Sequence, residues 1–241
     1  MGIQGQSRML DFDFMISHIS LVQKGLILTL EISALGILLS LIIGLFCAIG
    51  LSEAQREKAL NTQKSKTSYL LKCLEIFIKI YVEIARNTPL LIQLFFLYFA
   101  LPKIGIKLEA FSCAVIGLAF LGGGYMCEAF RAGLTSISTS QIHSSLSLGL
   151  SRAQIIRHIL LPQALGIAMP ALSANVIFLI KETSVVGILA LADVLYNAKD
   201  MIDIYGKTYE ALCLLIGAYL VVLLPLSIVF GALESHLRKK M

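Results

Sequence analysis

The chain has few charged residues and few cysteines, and both are scattered along it. Charged residues make up 15% of the 241 residues and hydrophobic residues 57%, a balance far from that of a soluble domain. The five cysteines contain no CxxC pair, which argues against a disulfide framework or a metal site. The motifs GxSxG and HExxH are absent, so no catalytic residues are predicted. The formal charge of +5 fits the basic face of a membrane protein and requires no nucleic acid.

Apolar runs of membrane-crossing length account for most of the chain, whose mean hydropathy is +0.84. We predict five spans, at residues 21–51, 74–101, 110–127, 165–195 and 209–234. In the first run, small residues recur at four-residue spacing at Gly36, Ser40, Gly44 and Ala48. Such a stripe predicts that another helix approaches closely there.

Lysine and arginine are distributed unequally between the two sides that these spans define. One side has eleven basic residues and the other has six. The first set is Arg56, Lys58, Lys64, Lys66, Lys72, Arg131, Arg152, Arg157, Arg238, Lys239 and Lys240, and the second is Arg8, Lys24, Lys103, Lys107, Lys199 and Lys207. The positive-inside rule therefore predicts an extracytoplasmic N-terminal segment, 1–20, and a cytoplasmic basic tail, 236–241. Segment 1–20 lacks the features of a cleavable signal peptide.

The loop at 128–162 is too polar to cross a bilayer, yet its pattern is ordered. Ser151 and Gln154 form the capping-box pattern that opens a helix. An apolar stripe follows, and Pro162 is expected to interrupt it. A structured loop on the basic side predicts a docking platform for a cytoplasmic partner.

Polar residues interrupt the second and fourth spans. They are Glu83, Arg86, Asn87, Thr88 and Pro89 in the second, and Asn175, Lys181, Glu182, Thr183 and Ser184 in the fourth. Pro89 frees the carbonyl of Ala85 from its helical hydrogen bond. A charge at this depth costs about 3 kcal/mol or more, so these residues predict a path for a polar small molecule.

The charges in these spans fit a zwitterionic ligand. Lys181 can bind a carboxylate, and Glu182 can bind an ammonium group. The alternative is a purely structural pair, in which Glu83 or Glu182 neutralises Arg86 or Lys181 without a ligand.

Three stretches resemble the membrane permease subunits of ATP-binding-cassette importers for polar amino acids. They are RNTPLLIQLFFLYFALP at 86–102, the run from Gln141 to Ala164, and PALSANVIFLIKETSVV at 170–186. The resemblance implies an all-α integral membrane protein. Its fold would be the five-transmembrane-helix bundle of the type I importer permease, with a cytoplasmic coupling-helix loop. The substrate-binding positions carried over are Thr88, Asn175, Lys181 and Glu182.

The same resemblance assigns the loop to contact with the ATPase, through His143, Leu146, Gly149 and Pro162. It implies a short helix at roughly 137–148 that sits in a cleft of the ATPase, with Gly149 permitting the turn after it. The family usually has Glu-Ala-Ala where this chain has His143, Ser144 and Ser145. We therefore expect apolar packing, with Leu146 in a stripe of Ile142, Leu146 and Leu150, to dominate the contact.

The implied assembly comprises two ATPase subunits, a second permease chain, identical or homologous, and an extracytoplasmic solute-binding protein. ATP and Mg would be held by the ATPase, with no cofactor in this chain, in a bacterial inner membrane. The amide of Asn175 favours a neutral polar amino acid such as glutamine. The alternative is an oligomeric ion or small-solute channel without an ATPase. A secondary transporter is a weaker choice, because no internal repeat is present.

Overall fold

The computed structural model describes residues 10–59 and 66–238, and this part of the chain is helical, without a strand. Its α-helices are α1 (Phe12–Ala59), α2 (Lys66–Asn87), α3 (Leu90–Phe95), α4 (Ala110–Thr135), α5 (Thr139–Ser147), α6 (Arg152–Ile155), α7 (Leu161–Glu182), α8 (Val194–Tyr205) and α9 (Thr208–Arg238). Shorter helical segments are Phe96–Ala100 and Leu101–Ile104 after α3, Ile156–Leu160 before α7 and Thr183–Leu189 after it.

Four helical stretches are long and apolar enough to cross a membrane, namely Phe12–Glu53, Ala110–Thr135, Arg152–Leu189 and Thr208–Leu237. A fifth crossing results if the bent pair Leu71–Asn87 and Leu90–Ile104, with 105° between its parts, counts as one span. This is the predicted five-helix bundle. The predicted segment 1–20 is described only from Leu10 onward, and the predicted tail 236–241 only to Arg238.

The helices extend beyond the predicted spans. Helix α1 begins at Phe12, and α4 continues to Thr135, so the first residues of the predicted loop 128–162 are helical. The charges there do not end α4, because Glu128 and Arg131 form an ion pair along the helix surface.

The small-residue stripe of α1 packs against α4, as the spacing predicts. The hydroxyl of Ser40 donates to the carbonyl of Leu118 at 3.3 Å. A Cβ atom at Gly44 would lie 2.7 Å from the backbone nitrogen of Cys127, and Ala48 is fully buried. Close approach of the two backbones therefore depends on these small side chains.

The chain bends between α2 and α3 at Pro89, where the sequence predicts an unsatisfied carbonyl. The side-chain amide of Gln93 takes over the missing bond by donating to the carbonyl of Ala85 at 3.2 Å. The same amide donates to the carbonyl of Thr88 at 3.1 Å. One side chain thus satisfies both backbone groups at the bend.

The expectation that Pro162 interrupts the helix is wrong. The capping box at Ser151 and Gln154 is present, and the helical path then continues to the end of α7. A wide turn at Ile156–Leu160 leads directly into α7, and Pro162 is the second residue of that helix. The wide turn accommodates the proline without ending the helix.

Contacts between distant parts of the chain distinguish the two ends of the bundle. At one end, Asp11 pairs with Lys207 at 2.6 Å. At the other end, Glu53 of α1 lies 3.9 Å from Arg152 of α6. The loop that contains α5 and α6 is therefore at the end opposite to α8.

Candidate functional site

Side chains from α2, α4 and α7 meet around Tyr125. The guanidinium carbon of Arg86 lies 5.4 Å from the centroid of the Tyr125 ring. The ring of Phe178 is 5.2 Å from the Tyr125 ring in an edge-to-face arrangement. The side-chain amide of Asn175 donates to the carbonyl of Tyr125 at 3.2 Å. We call Arg86, Tyr125, Asn175 and Phe178 the Tyr125 cluster.

A glycine beside Tyr125 brings Arg86 to this position. A Cβ atom at Gly124 would lie 3.0 Å from the Cβ of Ala85 and 3.1 Å from the Cγ of Arg86. Helices α2 and α4 therefore approach closely at this level, and the aliphatic stem of Arg86 passes directly over α4.

Glu83 does not neutralise the charge of Arg86, in contrast to one predicted alternative. A carboxylate oxygen of Glu83 instead accepts a hydrogen bond from the side chain of Asn87 at 2.9 Å. Among the described residues, neither Arg86 nor Lys181 takes part in an ion pair. The guanidinium of Arg86 is therefore available to an anionic ligand.

Helix α7 presents one face to the Tyr125 cluster. Asn175, Phe178 and Glu182 are spaced by three and four residues, which places them on this face. Lys181 and Glu182 are separated by about 100° around the axis of α7, because consecutive residues of an α-helix differ by that angle. Lys181 is exposed, whereas Glu182 is half-buried. Asn175 and Glu182 therefore share one face of α7, Asn175 contacts the backbone of Tyr125, and Lys181 lies on a neighbouring face.

Thr88 lies apart from the Tyr125 cluster. Its hydroxyl donates to the carbonyl of Ile84 at 2.7 Å and accepts from Gln93 at 2.9 Å. It lines an apolar cavity of about 410 Å³, whose walls also include Ile92 and Phe96. Thr88 lies just beyond Asn87, the last residue of α2, and its hydrogen-bond partners are not members of the Tyr125 cluster.

Three of the four residues assigned to the ATPase contact, His143, Leu146 and Gly149, lie on an exposed surface formed by α5 and the turn after it. Gly149 has a φ of 80°, a conformation that favours glycine, so the predicted turn is confirmed. Of the predicted stripe, Ile142 and Leu150 pack inward against the core of the chain. Leu146 is 39% exposed.

The most exposed apolar side chain here is Leu148, at 81%. Sequence analysis missed it, because Leu148 lies outside the four-residue stripe and beyond the last residue of α5. His143 is exposed on α5, whereas Pro162 lies in α7 and not on this surface.

Comparison with known proteins shows the family. Residues 67–241 match the family model described as "Binding-protein-dependent transport system inner membrane component". A "Probable amino-acid ABC transporter permease protein PatM" of Vibrio harveyi is 34% identical over 204 residues, covering 83% of this chain and 84% of the relative. A "Probable glutamine ABC transporter permease protein GlnP" of Bacillus subtilis is 34% identical over 182 residues, covering 76% of each chain.

Solved structures agree with this result. A crystal structure of an amino acid ABC transporter with histidines has a TM-score of 0.79 at 28% identity, covering 95% of this chain and 100% of the other. The MetNI methionine ABC transporter has a TM-score of 0.74 at 18% identity, covering 92% and 98%, which shows a shared fold.

The chain belongs to the family of inner-membrane components of binding-protein-dependent transport systems. Its fold is that of the type I ABC importer permeases. Within that class it is a permease subunit of the amino-acid importer type, a transport component rather than an enzyme, and ATP hydrolysis belongs to a separate subunit.

Proposed function

We propose that this chain carries a neutral polar amino acid, such as glutamine, into the cell, with Arg86, Asn175 and Glu182 binding the substrate. The observation that carries the proposal is the guanidinium of Arg86, which lies on the ring of Tyr125 without a carboxylate partner among the described residues. An unpaired cation at membrane depth is costly unless a ligand neutralises it during transport.

Each proposed contact uses ordinary recognition chemistry. The planar guanidinium of Arg86 binds the α-carboxylate of the substrate through two parallel hydrogen bonds. Glu182, half-buried on the face of α7 that also carries Asn175, binds the α-ammonium group. Because Asn175 uses one N–H on the carbonyl of Tyr125, its remaining N–H and its oxygen are left for a polar uncharged side chain. The glutamine named for the Bacillus subtilis relative supports this choice.

Uptake by substituted transporters tests the site. We expect Arg86→Met and Glu182→Gln to lower uptake by about 10-fold to 100-fold each, since hydrogen bonds to charged groups contribute about 1.5–3 kcal/mol. Lys181→Met is the matched comparison one residue from Glu182, and it should have the smaller effect. Lys199→Met, an exposed position on α8, is the control for surface charge.

Two outcomes would overturn this assignment. Normal uptake by an assembled Arg86→Met transporter would exclude the carboxylate contact. If Lys181→Met lowers uptake more than Arg86→Met does, the substrate's α-carboxylate is bound by Lys181, beside Glu182, and not by Arg86. Assembly is checked by the amount of complex recovered on purification.

We also propose that the working transporter contains two ATPase subunits that hold ATP and Mg, a second permease chain and an extracytoplasmic solute-binding protein. The family description, which names a binding-protein-dependent system, supports these partners. Co-purification from the native membrane tests the assembly. Recovery of the chain without any ATPase would favour the channel alternative.

The proposed orientation places the N-terminus outside and the loop with α5 and α6 in the cytoplasm, as the basic residues predict. Single cysteines at Lys103 and Arg157, which are both exposed, test it with an impermeant thiol reagent on intact cells. Labelling is expected at Lys103→Cys and not at Arg157→Cys. The reverse pattern would invert the topology.

A further inference from the structure

Asp193 is a buried carboxylate that the transport site does not use. It lies between the helical segment Thr183–Leu189 and α8, outside the membrane-crossing stretches. Its side chain is fully buried, and its Oδ1 accepts a hydrogen bond from the backbone nitrogen of Tyr196 at 2.8 Å, which caps α8. Its other oxygen, Oδ2, is buried and has no hydrogen-bond partner among the described residues.

The elements packed around Asp193 bring two further unpartnered hydroxyl groups to this region. Helix α9, which packs against α8, contributes the buried hydroxyl of Tyr219, which has no hydrogen-bond partner among the described residues. On α1, a Cβ atom at Gly25 would lie 2.8 Å from the backbone carbonyl of Asp193. One turn along the same face, Thr29 is 1% exposed and its hydroxyl has no partner.

Charged groups nearby do not compensate this carboxylate. Lys24 of α1 is exposed, and Glu210 of α9 accepts a hydrogen bond from the backbone of Asp11. The amide of Asn197 is occupied, because it donates to the carbonyls of Leu21 and Ala192 at 3.2 Å each. The segment Thr183–Leu189 contains no ionisable residue.

We propose that Asp193 is a proton-binding site whose occupation holds α8 against α1 and α9. A protonated carboxyl group carries no charge at the buried Oδ2, and its O–H can donate to a buried acceptor of α9 such as the hydroxyl oxygen of Tyr219. The ionised form leaves a charged oxygen buried without a donor, which disfavours the docked arrangement. The ligand of the site is therefore a proton, and its release loosens α8.

The physical environment sets the pH range. Burial raises the pKa of Asp193 from its usual 3.8 to about 6, although the hydrogen bond from Tyr196 opposes the shift. A carboxyl whose pKa is raised in the folded state stabilises that state fully at low pH, and the stabilisation is lost as the pH rises through about 6. A difference of about two pKa units corresponds to about a 100-fold change in the docking equilibrium.

A short stretch of chain connects Asp193 to the proposed transport site. Glu182 is the last residue of α7, and the segment Thr183–Leu189 connects it to Asp193. Movement of α8 therefore acts on the chain that directly follows Glu182. The proton site stands independently of which substrate Glu182 binds.

The test uses the full chain in lipid nanodiscs between about pH 4 and about pH 8. Hydrogen exchange of the α8 amides, corrected for the intrinsic pH dependence, is expected to rise by up to about 100-fold across this range. Infrared difference spectra should show a protonated carboxyl band that is lost with a midpoint at about pH 6, where the rise in exchange levels off. Asp193→Asn keeps the helix cap and should abolish both changes. Asp203→Asn, an exposed carboxylate on the same helix, should change neither.

Tyr219→Phe keeps the proposal testable if Asp193→Asn does not fold. Removing the acceptor hydroxyl should weaken the protonated form and move the midpoint to lower pH. Identical midpoints in the wild type and Tyr219→Phe would exclude the proposed hydrogen bond. Hydrogen exchange of the wild-type α8 amides that does not change with pH would overturn the proton site. It would indicate instead that an internal water donates to the ionised Oδ2.

Discussion

The guanidinium carbon of Arg86 lies 5.4 Å from the ring centroid of Tyr125, so a cation from α2 rests on an aromatic face from α4. Such a contact contributes about 0.5–2 kcal/mol, depending on how far the pair is removed from water. It holds the guanidinium against Tyr125, whose backbone carbonyl accepts a hydrogen bond from Asn175. The orientation of Arg86, and not only its charge, is therefore part of the proposed binding site.

The first prediction concerns this ring. Tyr125→Leu should weaken substrate uptake by about 2-fold to 30-fold, because the guanidinium loses its aromatic support. Tyr125→Phe keeps the aromatic face and is the matched control, expected to stay close to wild type. Uptake is measured in proteoliposomes over a range of substrate concentrations. Equal loss in both variants would mean that the hydroxyl, rather than the ring, matters.

The second prediction concerns the α1–α4 contact. Gly44→Ala should destabilise the protein by about 1–3 kcal/mol, because the added methyl group would lie 2.5 Å from the Cβ of Met126. Gly217→Ala in α9 is the control, since a Cβ atom there meets no other atom within 4 Å. Thermal unfolding in detergent measures both. A Gly44→Ala protein as stable as Gly217→Ala would contradict the close packing.

The third prediction concerns the bend at Pro89. Gln93→Leu should cost about 1–3 kcal/mol of stability, because the carbonyls of Ala85 and Thr88 lose their shared donor. Gln23→Leu, an exposed position on α1, is the control for replacing an amide by an apolar group. Thermal unfolding again provides the measurement. If Gln93→Leu unfolds at the wild-type temperature, another group must satisfy these carbonyls.

The fourth prediction concerns the proposed ATPase contact. Leu148→Asp and Leu146→Asp should release the ATPase on purification without lowering the stability of the permease chain, because both side chains are exposed. His143→Ala should have a smaller effect. Ser140→Asp, an exposed position on the same helix, controls for the added charge. If His143→Ala releases more ATPase than Leu148→Asp, the contact is polar rather than apolar.

A companion substitution tests the turn after α5. Gly149→Val forces a β-branched residue into a φ of 80° and should cost about 1–2 kcal/mol in the local structure. We expect it to reduce ATPase retention by disturbing the position of Leu148. Gly149→Asn, which tolerates this conformation better, should retain more ATPase than Gly149→Val. Equal retention would show that the turn does not position the contact.

Local sequence patterns predicted the features that depend on neighbours along the chain. The spacing of Gly36, Ser40 and Gly44 identified a packing face, and Ser151 with Gln154 identified a helix start. The prediction that Pro162 interrupts the helix was wrong, because a wide turn accommodates the proline and no sequence pattern indicates such a turn.

The features that sequence analysis missed depend on contacts between distant segments. Nothing in the sequence around Arg86 indicates that its charge will lie on Tyr125, because the close approach at Gly124 is a property of the packed helices. At the end of α5, Leu148 is exposed, whereas Ile142 and Leu150 of the predicted stripe pack inward against the core. Tertiary packing, rather than periodicity, decides which members of an apolar stripe remain exposed.

Helix α1 touches both ends of the bundle. It has 48 residues, or about 72 Å at 1.5 Å per residue, against a hydrocarbon core of about 30 Å. Next to its last turns Glu53 meets Arg152 beside the proposed ATPase surface, and just before its first turn Asp11 meets Lys207 beside α8. One helix therefore joins the end of the bundle that carries α6 to the end that carries α8, and between these ends it packs on α4 next to the Tyr125 cluster. The two faces of the transporter are thus held at a fixed separation by a single continuous element.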